Sequence, residues 1–399
     1  MGKLEVAHDE SSSGDHLDVE RAVRERYSEA SKVAEKSLCC PVEYDTKYLD
    51  LLPTELIERD YGCGDPSRYL HSNETVLDLG SGGGKICYIA AQIVGAGGRV
   101  IGVDMNDDML ELARRFRQEI GNRIGYHNVD FYKARIQDLA LDIERFEQYL
   151  QANPVQSTDQ WWAAHSEAER MRREEPMIAN DSIDVIVSNC VLNLVGVAAR
   201  EQLFCEMLRV LRRGGRAVIS DIVSDEPIPE HLKSDPKLWS GCISGAFVED
   251  DFLAAFARAG FYGMEIVARQ EQPWATIEGI EFRSVTVSAY KGKDGPCLDH
   301  HQAVIYNGPW ESVRDDDGHT LRRGQRTAVC AKTFEIYTRS PYAEYVTPVP
   351  PYTQVPDDLA VPCDCHRGDI RHPRETKGQQ FKKTLLPVSD SCCQEECDC

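Results

Sequence analysis

Four thiol positions and one glycine-rich turn carry the chemistry open to this sequence. Cys190 sits in "IVSNCVLNL", at the exit of an apolar run. Cys242 lies in "LWSGCISGAF", Cys63 in the turn "DYGCGD", and Cys39 with Cys40 opens "CCPVEYD". A buried cysteine is commonly a small hydrophobe. Cys87 in "KICYIAA" and Cys205 on a helix face read that way. Burial is a weaker account of Cys63, because its turn is rich in glycine. Zinc is the usual ligand of clustered thiols, but no Cys-x-x-Cys pair occurs among these sites and no histidine adjoins them.

The turn is "DLGSGGG", residues 78–84, placed between a strand pattern and a helix pattern. Gly80, Gly82 and Gly84, with Ser81 between them, would let a ligand approach the backbone closely. Asp104 ends the second strand pattern, where a carboxylate can accept both hydroxyls of a ribose. A nicotinamide dinucleotide needs the same two features. The spacing here, however, is Gly-x-Gly-x-Gly, and no second mononucleotide half follows. Asp78 suits an ammonium group and would repel a pyrophosphate. The loop therefore fits S-adenosylmethionine, a nucleoside carrying a charged amino acid and no phosphate. Met105 is placed to pack on the adenine. Asp138, in "IQDL", is placed to accept from the adenine amino group or to cap a helix, and Asn189 completes the expected cofactor set. Thiols scattered around a methyl donor suggest a soft, three-coordinate guest.

These residues need a scaffold. Strand patterns "TVLDLG", "RVIGVDM", "NVDFYKA", "SIDVIVSN" and "GGRAVISDI" alternate with helical ones, one of which takes Asp107 as its N-cap. "GMEIVAR" and "FRSVTVSAYKG" close the series. This order predicts an α/β fold with a doubly wound, mostly parallel sheet, in which a ligand sits beyond the carboxyl ends of the strands. Cys190 should then lie beside the reactive end of the cofactor. The N-terminal arm is helical in period from Asp18 to Leu38. Residues 141–180 form a helical insertion split by Pro154, whose Trp161–Trp162 pair is expected to pack. The expected organisation is a disordered tail (1–20), a catalytic domain with its cysteine arm (21–293), a small α+β domain (294–348) and a flexible tail (349–399). From about Pro362 onward that tail carries Cys363, Cys365, Cys392, Cys393, Cys397 and Cys399, and this part should be dispensable for chemistry.

Composition narrows the setting. Among 399 residues, 42% are hydrophobic and 28% charged, and the formal net charge is −21. Such a surface repels nucleic acid and anionic lipid. No apolar run approaches the ~18 residues of a membrane span, and the first residues lack the apolar core of a signal peptide. A cytoplasmic monomer with reduced thiols is expected, with neither nucleic acid nor membrane as partner.

The motifs together resemble the arsenite S-adenosylmethionine methyltransferases. The resemblance rests on "DYGCGD", "DLGSGGG", "GVDM", "SNCVLNL" and "LWSGCISGA", and spans about residues 20–345. The insertion and the "CCPVEYD" arm mark a divergent subgroup. The resemblance implies a Rossmann-like class I methyltransferase. It also implies a small metalloid substrate, As(III), on Cys190 and Cys242. Cys63 and an arm cysteine, Cys39 or Cys40, would supply the third thiolate and a redox partner, with Cys39 the choice. Glutathione or thioredoxin would be the thiol reductant. Two other readings use the same residues: a methyltransferase for a quinone or similar metabolite, with packing cysteines, and a non-catalytic metalloid-binding protein.

Overall fold

Runs of Val, Ile and Leu build the centre of the chain. In the computed structural model, which describes residues 15–33, 35, 42–364 and 370–386, five of these runs pair in parallel. They are β1 (Thr75–Leu79), β2 (Arg99–Asp104), β3 (Val129–Lys133), β4 (Ile183–Asn189) and β5 (Leu211–Ser224). Two antiparallel strands, β6 (Tyr262–Arg269) and β7 (Ile280–Tyr290), complete the order β3-β2-β1-β4-β5-β7-β6. Parallel strands bury both faces, which is why Val76, Leu77, Val185 and Ile186 are wholly enclosed. Leu79 pairs with both Val103 and Ser188, so β1, β2 and β4 end at one level. The strand order reverses between β1 and β4, and the crevice at that level is where an open sheet of this kind receives a ligand.

Helices follow the strands as expected, with two local differences. Asn106, not Asp107, is the N-cap of helix Asp107–Arg115, its side chain accepting from the Met109 N–H. Asp107 and Asp108 instead occupy the first turn, where negative charge suits the helix dipole. The arm helix runs Asp15–Ala30. It therefore begins inside the segment expected to be disordered and stops well short of Leu38.

The insertion forms two helices, Ile143–Ala152 and Thr158–Glu174. Leu141, Ala168 and Met171 make a small core beneath them. Trp161 and Trp162 do not join it. They are 50% and 56% exposed and touch each other and His165. Every residue from 151 to 163 is exposed, so that stretch has no core against which to pack.

The chain divides into two units between Gly292 and Lys293. The second contains a three-stranded antiparallel sheet of Ala303–Tyr306, Arg326–Ala328 and Val346–Val349, with helix Ala331–Tyr337. The expectation of a flexible tail from residue 349 fails for the segment that follows. Val361–Pro362 pairs with Leu298–Asp299, and Ile370 bridges Thr327. Buried Arg371 donates to Asp299 (2.7 Å), Glu375 (2.8 Å) and the Gln302 carbonyl (3.3 Å). Helix Pro373–Lys377 follows. Backbone pairing and a buried ion pair dock this segment without the apolar periodicity that its sequence lacks. Among the described residues, no helix is long and apolar enough to cross a membrane.

Candidate active site

A cavity open to solvent lies beyond the carboxyl ends of β1, β2 and β4. Its floor is the glycine turn. Gly80 and Gly82 both have positive φ, but they differ in what a side chain would meet. A Cβ at Gly80 would strike Val191, whereas one at Gly82 would point into open space. Gly82 is thus the position that leaves room for a ligand, while Gly80 and Gly84 are glycine for packing and backbone reasons. The Ser81 hydroxyl is buried and has no hydrogen-bond partner among the described residues, and it too lines the cavity.

Asp104 is fixed by its neighbours. One carboxylate oxygen accepts from the Gly82 N–H (2.8 Å) and the other from the Asn106 N–H (2.8 Å). Burial still pushes its pKa above the usual range. Each oxygen keeps lone-pair capacity for a ribose hydroxyl. Asp78 accepts from the Cys87 thiol (3.2 Å), and burial pushes its pKa up to about 7. A buried carboxyl poised near neutrality, an unpartnered hydroxyl and the space over Gly82 fit the amino-acid and nucleoside parts of S-adenosylmethionine. Met105 also lines the cavity.

Asp138 lies elsewhere. It is bound by Arg172 of the insertion (2.8 Å), and the cavity wall at that level is formed by Ile136 and Gln137. Asp138 does not line the cavity, and its carboxylate is turned to a guanidinium of the inserted helix, so it is not placed to meet the adenine. Asn189 does line the cavity, but its amide is engaged behind it. Its Oδ1 accepts from the N–H groups of Cys63 (2.8 Å) and Gly64 (3.0 Å), and its Nδ2 donates to the Gly64 carbonyl (2.8 Å). The side chain at the end of β4 thereby clamps the "YGCG" turn. Gly62 must be glycine here, since a Cβ would sit 2.0 Å from the Asn189 amide.

The clamp brings thiols together. Cys63, Cys190 and Cys242 come from three separate segments and are 5%, 6% and 4% exposed. The Cys242 thiol donates to the Cys190 carbonyl (3.2 Å). Hydrogen bonds from the thiols of Cys242 and Cys63, then burial, push the Cys190 thiol well above its usual range. Burial likewise raises Cys63. Cys190 and Cys242 both have positive φ, at 65° and 62°. Non-glycine residues rarely adopt that conformation, and where they do it is commonly at functional sites. Cys39 and Cys40 lie outside the described residues. The arm itself reaches this place: Arg26 donates to Ser240 (2.8 Å) and to the Lys237 carbonyl (2.9 Å), on the segment that leads into Cys242.

Comparison with known proteins agrees with this geometry. A methyltransferase-domain family matches residues 70–158 and 165–271, and a domain of unknown function matches residues 293–381. The arsenite methyltransferase of Aquipseudomonas alcaligenes is 30% identical over 327 residues, covering 77% of this chain and 84% of that protein. This chain belongs to the arsenite methyltransferase family. The Mus musculus arsenite methyltransferase is 27% identical over 82% of this chain and 79% of its own length. The crystal structure of an arsenic(III) S-adenosylmethionine methyltransferase from Chlamydomonas reinhardtii has the same fold. Its TM-score is 0.51 at 24% identity, over 81% of this chain and 99% of that one.

Two residues of this arsenite methyltransferase family member escaped the sequence reading. Asp221 is fully buried, and its carboxylate lies within 4.8 Å of the Cys63 and Cys190 sulfurs. It accepts from the Asn193 amide (2.8 Å) and the Ile222 N–H (2.8 Å), and burial pushes it up to about 6. Asn193 also donates to the Ile222 carbonyl (2.6 Å), joining the loop after Cys190 to β5. The available signal was register: Asn189 pairs with Ser220, so the next residues along, Cys190 and Asp221, are neighbours.

Proposed function

We propose that this chain transfers methyl groups from S-adenosylmethionine to trivalent arsenic held on Cys63, Cys190 and Cys242. The observation that carries the reading is the convergence of three buried thiols from three segments, of which Cys190 lines the same cavity as Asp78, Gly82 and Asp104. Packing alone gives no reason for two of those thiols to sit at positive φ.

The chemistry follows from these groups. The Cys63 and Cys190 thiols stay protonated until substrate arrives, because burial disfavours both thiolates and the hydrogen bonds at Cys190 add to the effect there. Each exchange with As(OH)₃ forms one As–S bond and breaks one As–O bond, and the thiol proton leaves with the hydroxide as water. Three such exchanges leave a pyramidal arsenic with its lone pair free. Bound S-adenosylmethionine supplies an electrophilic methyl on a sulfonium. Asp78 would hold the ammonium, Asp104 the ribose hydroxyls and Met105 the adenine. The role of the chain is to align lone pair and methyl in line, and positioning of this kind lowers the barrier without a general base. Methylation formally oxidises the arsenic by two electrons. Two thiols, for which we favour Cys39 and Cys63, would return them by closing a disulfide. Glutathione or thioredoxin would reopen that bond by exchange. The reading places the enzyme in the reducing cytoplasm, as a monomer with no nucleic acid or membrane partner.

Product speciation tests it. Purified enzyme with arsenite, S-adenosylmethionine and a thiol should yield methylated arsenicals. Turnover of S-adenosylmethionine that is indifferent to arsenite would overturn the reading.

A further inference from the structure

Cys190 and Cys242 stand 52 positions apart in the chain, so their thiols can share one guest only if the loops that carry them are fixed to each other. Polar contacts join the loop after β4, residues 190–195, to the segment 239–245. The Cys242 thiol donates to the Cys190 carbonyl (3.2 Å), and the Trp239 indole N–H donates to the Leu194 carbonyl (3.4 Å). The amide nitrogen of buried Asn193 lies 3.5 Å from the Cys242 carbonyl. Gly245 rests so closely on the Asn193 carbonyl that a Cβ there would sit 2.0 Å from that oxygen.

Arg200 reaches both loops. Its Nε donates to the Val195 carbonyl (3.2 Å) and its Nη2 to the Gly245 carbonyl (2.5 Å), with the Asn193 carbonyl 3.5 Å away. The guanidinium also lies 4.3 Å from the centre of the Phe247 ring. Phe247 belongs to the short strand Phe247–Val248, which follows the Cys242 loop and pairs with β5. Helix stability does not account for this cation. Arg200 opens the helix Arg200–Val210, where a positive charge opposes the helix dipole. Burial further disfavours the charge and lowers its pKa to about 10.

We propose that Arg200 is a positioning residue that sets the spacing of the Cys190 and Cys242 thiols for one trivalent arsenic. Its planar fork aims two N–H groups at carbonyls of different loops at once, which an ammonium on a flexible stem does not do. Hydrogen bonds from a charged donor are also stronger than neutral ones. The positive φ of both cysteines persists only where surrounding contacts over-determine it, and the carbonyls held by Arg200 are among those contacts. Cys63 is placed separately, by Asn189. The thiol set is thus assembled by two clamps, one fixing Cys63 beside Cys190 and the other fixing Cys242 beside Cys190.

The inference rests on the reading that these thiols hold trivalent arsenic, and the test separates the two. Full-length unsubstituted protein, Arg200→Lys and Arg200→Met are each titrated with phenylarsine oxide, a probe that bridges neighbouring thiols. Remaining thiols are alkylated and mapped by peptide mass spectrometry. Cys190 and Cys242 should both be protected in the unsubstituted protein. In each variant the concentration that half-protects Cys242 should rise about tenfold or more, since a misplacement on the order of 1 Å is enough for such a loss. Cys63 and Cys190 should stay protected together, and calorimetry should find S-adenosylmethionine binding retained. Unaltered protection of Cys242 in both variants overturns the clamp, as does its lack of protection in the unsubstituted protein. Equal loss at all three thiols, with loss of cofactor binding, also overturns it, because that result marks a general role in the fold. If Arg200→Met does not fold, Arg200→Lys, which keeps the charge, decides alone. Arsenite methylation by the unsubstituted enzyme is scored separately. Its absence, with Cys242 protection still dependent on Arg200, supports the clamp and removes the proposed function. Its presence, with Cys242 indifferent to Arg200, removes the clamp and leaves the function standing.

Discussion

At the residue scale, sulfur and oxygen should not be interchangeable at Cys190 or Cys242. Oxygen is too hard a donor to replace a thiolate on As(III), so Cys190→Ser and Cys242→Ser should each abolish methylation of both arsenite and methylarsenite. Near-normal turnover by either would make that thiol a packing group. Asp78 supports a different prediction. Burial raises it from the ordinary carboxyl range to about 7, so the folded cofactor-free protein holds its proton where the unfolded chain has lost it. Its contribution to stability is then fully present below the unfolded pKa and is lost as pH rises through about 7. Asp104, also raised by burial, acts in the same direction. An ammonium docking on Asp78 favours the carboxylate and must expel the proton. Calorimetry of S-adenosylmethionine binding at pH 6, in buffers of different ionisation enthalpy, should report proton release, and Asp78→Asn should abolish it. Buffer-independent heats would separate Asp78 from the ammonium. Cys190, Cys242, Asp78 and Asp104 were all legible in the sequence, because local motifs and strand ends announce them. Asp221 was not, since its closeness to the thiols depends on the pairing of β4 with β5.

At the scale of elements, the end of β4 organises the site by holding its neighbours. Asn189 satisfies the backbone N–H groups of Cys63 and Gly64. Its replacement by alanine would leave two part-buried donors without an acceptor, at about 1–3 kcal/mol each. Asn189→Ala should lower the melting temperature and weaken As(III) binding. Asn189→Asp keeps the acceptor and should retain more of both. Equal loss in the two variants would mean that the amide acts by some route other than the clamp. Asn189 lines the cavity, as its position at the end of β4 predicts, but position alone does not reveal that its amide also holds the adjoining turn. Asp138, by contrast, stands outside the cavity lining. Its partner, Arg172, stands on the insertion, a helix whose docking no periodicity specifies. The exposed Trp161–Trp162 pair shows the same limit, for aromatic residues on a helix predict burial only where a second surface exists to cover them.

At the scale of the whole molecule, the alternation of strands and helices made the α/β unit readable, because its parallel strands are enclosed on both faces and so carry long apolar runs. The second unit lacks that signature beyond residue 349. Its later segment is held by two short backbone pairings and by Arg371, whose guanidinium is buried against Asp299 and Glu375. A proline-rich polar sequence conceals such anchors, and two truncations should separate the anchored part from the remainder. Removal of residues 382–399 deletes Cys392, Cys393, Cys397 and Cys399, all outside the described residues, and spares every anchor. Stability and the maximal methylation rate should be unchanged. Removal of residues 350–399 also takes away the Val361–Pro362 strand and Arg371, and leaves the Asp299 carboxylate without its guanidinium. Loss of one partner of a buried ion pair costs about 3–5 kcal/mol. The shorter chain should therefore show rapid proteolysis within residues 293–349, and Arg371→Ala should reproduce much of that sensitivity in an otherwise full-length chain. Limited proteolysis followed by mass mapping reads both effects. Equal resistance in the two truncations would mean that residues 350–381 contribute nothing to holding this unit together, and the original expectation of a free tail from 349 would then stand.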